Sequence, residues 1–109
     1  MTVEEVRAFV HEQSKDHLTT TNEHHITLKQ ALIPPQRILL IARQVRDGHL
    51  KDEKLNAWLL GQEKAADGYR IVLCEDGSQF GLASTGFKAD EHLVLTGWYG
   101  SLLSAFLNM

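Results

Sequence analysis

Two adjacent histidines are the residues that come nearest to a metal site. His24 and His25 follow Glu23, and imidazole and carboxylate groups are common ligands of zinc and related metals. Adjacent side chains point in different directions in most backbones, however, and no second His or Cys pair at ligand spacing accompanies this one. We therefore assign both histidines to a surface loop and predict a protein without a metal or other cofactor.

The chain contains a single cysteine, Cys74, and so cannot form an intrachain disulfide. A catalytic thiol needs a neighbouring base and an electropositive setting. Glu75 and Asp76 follow Cys74 directly, and their negative charge disfavours the thiolate. We interpret Cys74 as a small strand residue rather than a nucleophile.

Acidic residues occur in two groups that could exchange protons with a substrate. One is Glu75 with Asp76, and the other is residues 90 to 92, which read Asp-Glu-His. Both groups lie where turns are predicted, and carboxylates in turns are usually solvated. Residues 97 to 101, Gly-Trp-Tyr-Gly-Ser, match neither the G-x-S-x-G nucleophile elbow nor the Walker phosphate loop. We predict no catalytic residues, which favours a protein that is not an enzyme.

Aromatic residues with a polar group are the best candidates for recognition. Trp58, Trp98 and Tyr99 suit sites that are partly apolar and partly wet, although such residues also line protein cores. Leu103 belongs to a strongly apolar C-terminal segment, residues 93 to 109. A small sheet has limited area to cover that segment, so we predict a homodimer interface that includes Leu103, with closure of a monomer core as the alternative.

The N-terminal part of the chain predicts a helix followed by a loop. Thr2 and Glu5 form a capping box that starts a helix at Val3, and apolar residues then recur at helical spacing. Residues 17 to 27 are polar and predict an exposed connection. Residues 28 to 33 fit either a helical turn or a strand, and Pro34 and Pro35 do not suit a central strand.

The remainder of the chain predicts strands and one short helix. We expect strands over residues 37 to 46, 55 to 62, 69 to 74, 79 to 82 and 92 to 96, with a loop at residues 51 to 54. Asp76 and Gly77 predict a two-residue type I′ turn, which sets Leu73 opposite Phe80 and Ile71 opposite Leu82. Ser101 caps a C-terminal helix over residues 102 to 107. The face carrying residues 70, 72, 74, 79 and 81 is expected to be the wetter one.

The composition is that of an ordinary globular chain. Hydrophobic residues make up 43% of the 109 residues and charged residues 23%, which excludes a fully disordered polar chain. The net charge is −3, so we expect no nucleic-acid partner. Residues 38 to 42 are the longest apolar stretch and cannot span a bilayer, and the N-terminus lacks the pattern of a signal peptide. We expect one cytoplasmic domain over residues 1 to 109, without a membrane partner.

Together these patterns predict an α+β domain: an N-terminal helix packed on a four- or five-stranded antiparallel meander sheet, followed by a short C-terminal helix. The turn glycines and strand alternation of residues 67 to 97 resemble the C-terminal hairpin of XisI-type excision-controlling proteins, which are also short α+β chains. The expected function is a non-enzymatic protein-interaction or regulatory module, with another protein or a second copy as partner. The alternative is a small-ligand pocket between helix and sheet, with or without catalysis.

Overall fold

The computed structural model describes residues 1–63, 68–85 and 92–109, with the backbone alone for residues 44–46. Helix α1 spans Val3–Ser14 and begins at the predicted capping box. The Thr2 hydroxyl accepts from the Glu5 N–H at 3.2 Å, and the Glu5 carboxylate accepts from the Thr2 N–H at 2.9 Å. The predicted start of the helix is confirmed.

The connection after α1 is irregular, as expected, but one of its residues is buried. Asn22 is 7% exposed, and its amide donates to the Phe106 carbonyl at 3.5 Å. Helix α2, Leu28–Ala31, follows with its own capping box between Thr27 and Gln30. The stretch that fitted either a helical turn or a strand therefore begins as a helix.

Five strands follow, and their sequential pairs are antiparallel, which confirms the predicted α+β meander. The first strand, β1, also pairs in parallel with the last, β5, at Leu40 with Leu93 and at Ile41 with Val94, which closes the sheet into a barrel. The short C-terminal helix α3 follows β5, with Ser101 as its N-cap, as predicted. The bounds are β1 Leu32–Arg46, β2 His49–Gln62, β3 Arg70–Cys74, β4 Phe80–Thr85, β5 Leu93–Gly100 and α3 Leu102–Leu107.

Strand β1 begins at Leu32 and includes both prolines, contrary to the prediction. Its register with β2 shifts between Leu32 and Gln36, and Pro34 and Pro35 lie in that irregular stretch. A residue without an N–H is tolerated there because no ladder hydrogen bond is lost.

The β1–β2 hairpin is longer than predicted. Asp47 and Gly48 have φ values of 53° and 75°, and Arg46 pairs with His49, so these two residues form a type I′ turn. Residues 51 to 54 therefore belong to β2, and the loop predicted there was wrong. Charged side chains on both faces of a projecting hairpin hide the alternation that marks a half-buried strand.

The β3–β4 hairpin has the predicted register but a different turn. Leu73 pairs with Phe80 and Ile71 with Leu82. Of the two turn residues only Gly77 has a positive φ, 76°, and the Cys74 N–H donates to the Gln79 carbonyl. The connection is thus a four-residue loop over residues 75 to 78, and the type I′ assignment was wrong.

The barrel separates two apolar clusters. The helix-side cluster joins the outer face of the sheet to all three helices, and Phe9 packs on Phe80 with ring centroids 5.4 Å apart. The inner cluster contains Leu40, Ala57, Val72 and Ala83 inside the barrel. On the face expected to be wetter, Val72 and Gly81 are buried because the sheet closes over them, and residues 70, 74 and 79 are half-buried. On the opposite face, Ile71, Leu73, Phe80 and Leu82 are all buried.

The C-terminal segment completes the helix-side cluster. Leu102 and Phe106 are fully buried, and Leu103 is half-buried against that cluster, whereas Leu107 is 44% exposed. Most of the apolar side chains in residues 93 to 109, which suggested a dimer, thus pack in the core of one chain. In the described part of the chain, no helix combines the length and the apolar character needed to cross a membrane.

Candidate functional site

The structure places the four predicted recognition residues in different environments. Trp58 is 4% exposed in the helix-side cluster, with the Arg37 guanidinium 5.3 Å from its ring centroid. Leu103 packs on that cluster as well. Trp98 and Tyr99 are neighbours on β5, so their side chains point to opposite faces of the strand. Trp98 borders two open cavities.

Trp98 is held in place by a glycine on the neighbouring strand. Gly81 of β4 pairs with Trp98 of β5, and a Cβ placed on Gly81 would lie 2.6 Å from Trp98 Cε3. The indole ring therefore lies directly over the Gly81 backbone, where any side chain would displace it. This contact fixes one face of the ring inside the barrel.

A cavity of about 580 Å³ opens beside Trp98 at the mouth of the barrel, within the size range of small-molecule sites. It lies between the first part of β2, the end of β3 and β5. A second cavity, of about 250 Å³, lies between β1 and β5 and also reaches Trp98. We call the larger one the mouth cavity; it is lined by Met1, Lys54, Leu55, Asn56, Cys74, Glu75, Asp76 and Trp98.

The two carboxylates of the mouth cavity already have partners. Glu75 accepts from the Arg37 guanidinium at 2.9 Å. Asp76 accepts from the Ser78 N–H at 2.9 Å, and hydrogen bonds from Ser78, followed by one from Cys74, hold the pKa of Asp76 below its ordinary value. The Cys74 thiol therefore donates a hydrogen bond to a carboxylate that is kept ionised. A carboxylate with a lowered pKa is a weak base, so Asp76 is not suited to remove the thiol proton.

Two hydrogen-bond donors of the mouth cavity, the side chains of Lys54 and Asn56, have no partner among the described residues, in contrast to these carboxylates. Within residues 1–63, 68–85 and 92–109, neither the Lys54 ammonium nor the Asn56 side-chain amide has a hydrogen bond or an ion pair. Both side chains are exposed at the rim of the cavity. The cavity thus offers an aromatic ring, apolar groups and unused hydrogen-bond donors.

Residues 54 to 56 also belong to an open sheet edge. Strand β2 pairs with β1 from His49 onward, but its pairing with β3 begins only at Ala57. Residues 49–56 therefore pair with β1 on one side, and no strand of the described chain pairs with them on the other side. We call this unpaired side of residues 49–56 the free edge. The adjoining hairpin, residues 42–53, projects from the barrel as a two-stranded arm.

The remaining candidates from the sequence are not brought together into a site. His24 Nε2 lies 3.6 Å from Glu63 Oε1, and that buried oxygen has no hydrogen bond to the residues that are described. No group of three His, Cys, Asp or Glu side chains suited to a metal occurs in the described ranges. Residues 90 and 91, of the Asp-Glu-His group at 90 to 92, lie outside the described residues.

Sequence reasoning missed the mouth cavity and the free edge. Both depend on where β2 begins, and the Asp47-Gly48 pair was the available signal for a long hairpin. The helix-side cluster packs the helices against the sheet, at the interface where the alternative prediction set a small-ligand pocket. Comparisons with family models, with curated proteins and with solved structures give no match, so the XisI-type resemblance has no family match behind it.

Proposed function

We propose that this chain is a non-enzymatic interaction module that binds an extended segment of a partner protein along the free edge of β2. The observation that carries the proposal is the length of that edge. It runs from His49 to Asn56, where β2 has β1 on one side and no described strand on the other. An open edge of this kind is a template for a further strand.

The type I′ turn determines which backbone groups face the partner. A two-residue turn is closed by a hydrogen-bonded pair, here Arg46 with His49, and bonded pairs alternate along an antiparallel ladder. The N–H groups of residues 49, 51, 53 and 55 therefore point to β1. Those of residues 50, 52, 54 and 56 point outward and are available to a partner strand.

Side chains on the arm favour a selective partner over general aggregation. Residues 51 to 54, Lys-Asp-Glu-Lys, are exposed, and charged side chains on an edge discourage unspecific strand pairing. Leu50 is 68% exposed next to this charged group. We expect a partner segment of mixed charge with an apolar residue opposite Leu50, since opposite charges across a strand pair are favourable.

Self-association through the C-terminal segment stays a separate prediction. Its support is now smaller, because Leu102 and Phe106 are buried within one chain and Leu103 packs on the same core. Leu107 and Tyr99 remain exposed. The free edge therefore supports an interaction role better than α3 does.

Site-specific photo-crosslinking in the native host tests the proposal. A photoreactive residue at position 50 should yield one discrete crosslinked protein, and the same residue at exposed position 29 on α2 should not. Asp52→Pro removes an outward N–H without removing a β1–β2 hydrogen bond, so it should abolish the product, whereas Asp52→Ala should retain it.

Both position-52 variants must melt like the parent for the comparison to hold. A product that survives Asp52→Pro unchanged would contradict binding by strand addition. A product that forms equally well from position 29 would contradict the location at the free edge.

A further inference from the structure

We propose that the mouth cavity binds a small aromatic carboxylate. Residues 54 to 56 line the mouth cavity and also form the end of the free edge, but a small molecule could bind in the cavity without a second protein. Its volume of about 580 Å³ falls within the range of about 300–1,000 Å³ that is usual for small-molecule sites. The mouth of a barrel is also a common position for such sites.

The aromatic part of the ligand is inferred from Trp98. One face of its indole ring lies on Gly81, which leaves the remainder of the ring to border the cavity. Leu55 and Met1 add apolar surface to the same cavity. A planar apolar ring stacked or tilted against Trp98 would bury its faces without leaving a polar group unpaired.

The negative charge of the ligand is inferred from the state of the cavity's polar groups. Glu75 is paired with Arg37, and Asp76 accepts from Ser78. Lys54 and Asn56 are donors without a partner in the described ranges. A carboxylate can accept from both, and hydrogen bonds between charged groups are about twice as strong as neutral ones.

An amine of the same shape fits the cavity less well. Its ammonium group cannot accept a hydrogen bond from Lys54 or Asn56, and the Lys54 charge would repel it at that position. The cavity should therefore discriminate between ligands that share a ring and differ only in charge.

Three probes that share a phenyl ring and differ in charge test this discrimination directly: phenylacetate, phenylacetamide and phenethylamine. Binding is followed by NMR through the indole N–H signal of Trp98, with the Trp58 signal as an internal control. We expect phenylacetate to bind with a Kd of about 1 mM or tighter, about tenfold tighter than phenethylamine. Its affinity should fall as salt rises.

Lys54→Gln is the decisive variant, and Lys29→Gln is its matched control on exposed α2. Lys54→Gln should weaken phenylacetate by about threefold to tenfold and leave phenylacetamide unchanged, because only the charge pairing is lost. Lys29→Gln should bind all three probes like the parent.

Three results would overturn the proposal. These are tighter binding of phenethylamine than of phenylacetate, equal effects of the two lysine variants, and no shift of the Trp98 signal at about 10 mM of any probe. Because no partner protein is present, failure here leaves the strand-addition proposal unaffected.

Discussion

Trp98 and Gly81 face each other across the β4–β5 pair, and the indole ring covers the glycine backbone. A Cβ on Gly81 would lie 2.6 Å both from Trp98 Cε3 and from the Gly97 carbonyl oxygen. The glycine is therefore required by close approach and not by an unusual φ. This contact supports the inner cluster on one side and forms a wall of the mouth cavity on the other.

Gly81→Ala should destabilise the protein by about 1–3 kcal/mol, the usual effect of overpacking a well-packed core. It should also move Trp98 and shift its indole N–H signal. The matched control is Gly97→Ala, because a Cβ at Gly97 meets nothing nearer than Tyr99 Cε2 at 3.5 Å. Chemical denaturation of both variants gives the comparison, and equal stability losses would show that Trp98 is not fixed by Gly81.

Gly77→Val should destabilise the β3–β4 hairpin by about 1–3 kcal/mol, because Gly77 has a φ of 76° and a β-branched residue is strained there. A Cβ would also lie 2.7 Å from Met1 Sδ. The adjacent Ser78→Val places the same side chain at a residue without a positive φ and should cost much less. Thermal melting separates the two, and similar midpoints would contradict the turn geometry.

The pKa of Asp76 should be measurable below the ordinary aspartate value, because hydrogen bonds from Ser78 and Cys74 favour its ionised form. A folded-state pKa that is lower than the unfolded one stabilises the protein above the unfolded pKa. That contribution is lost as the pH falls through the folded pKa.

The stability difference between the parent and Asp76→Asn should therefore shrink as the pH falls below about 4. Denaturation at a series of pH values, together with NMR titration of the Asp76 carboxyl, measures both quantities. A titration midpoint at or above the ordinary value would exclude the proposed hydrogen bonds.

Local sequence signals predicted the helix starts and the hairpin register well. The Thr2–Glu5 box and the Ser101 cap act over one helical turn, and the pairing of Ile71 with Leu82 follows from the alternation beside a short loop. These features depend on residues close in sequence, so the pattern contains the information.

Barrel closure could not be read from the sequence in the same way. It rests on the parallel pairing of residues 40 and 41 with residues 93 and 94, which no local pattern encodes. Small residues such as Ala57 and Ala83 fill the narrow interior, and they look neutral in a search for apolar alternation. For the same reason, Val72 and Gly81 are buried on the face of β3 and β4 that was predicted to be the wetter one. The mouth cavity was missed because it follows from closure.

Leu103→Glu should destabilise a single chain, because Leu103 packs on the helix-side cluster and its charged replacement would be partly buried. Leu107→Glu should be tolerated, because Leu107 is 44% exposed. Melting with light scattering over a dilution series tests this. If the parent proves dimeric and the Leu103→Glu variant is folded but monomeric, the result would support the C-terminal interface predicted from the sequence.

Amide hydrogen exchange along the free edge, measured by NMR on the protein alone, tests the central claim most directly. Leu50, Asp52, Lys54 and Asn56 should exchange rapidly because their N–H groups face outward, whereas Lys51, Glu53 and Leu55 should be protected by β1. The alternation should be independent of protein concentration. Protection of all these amides would show that the edge is already covered, and it would contradict a site for a partner strand.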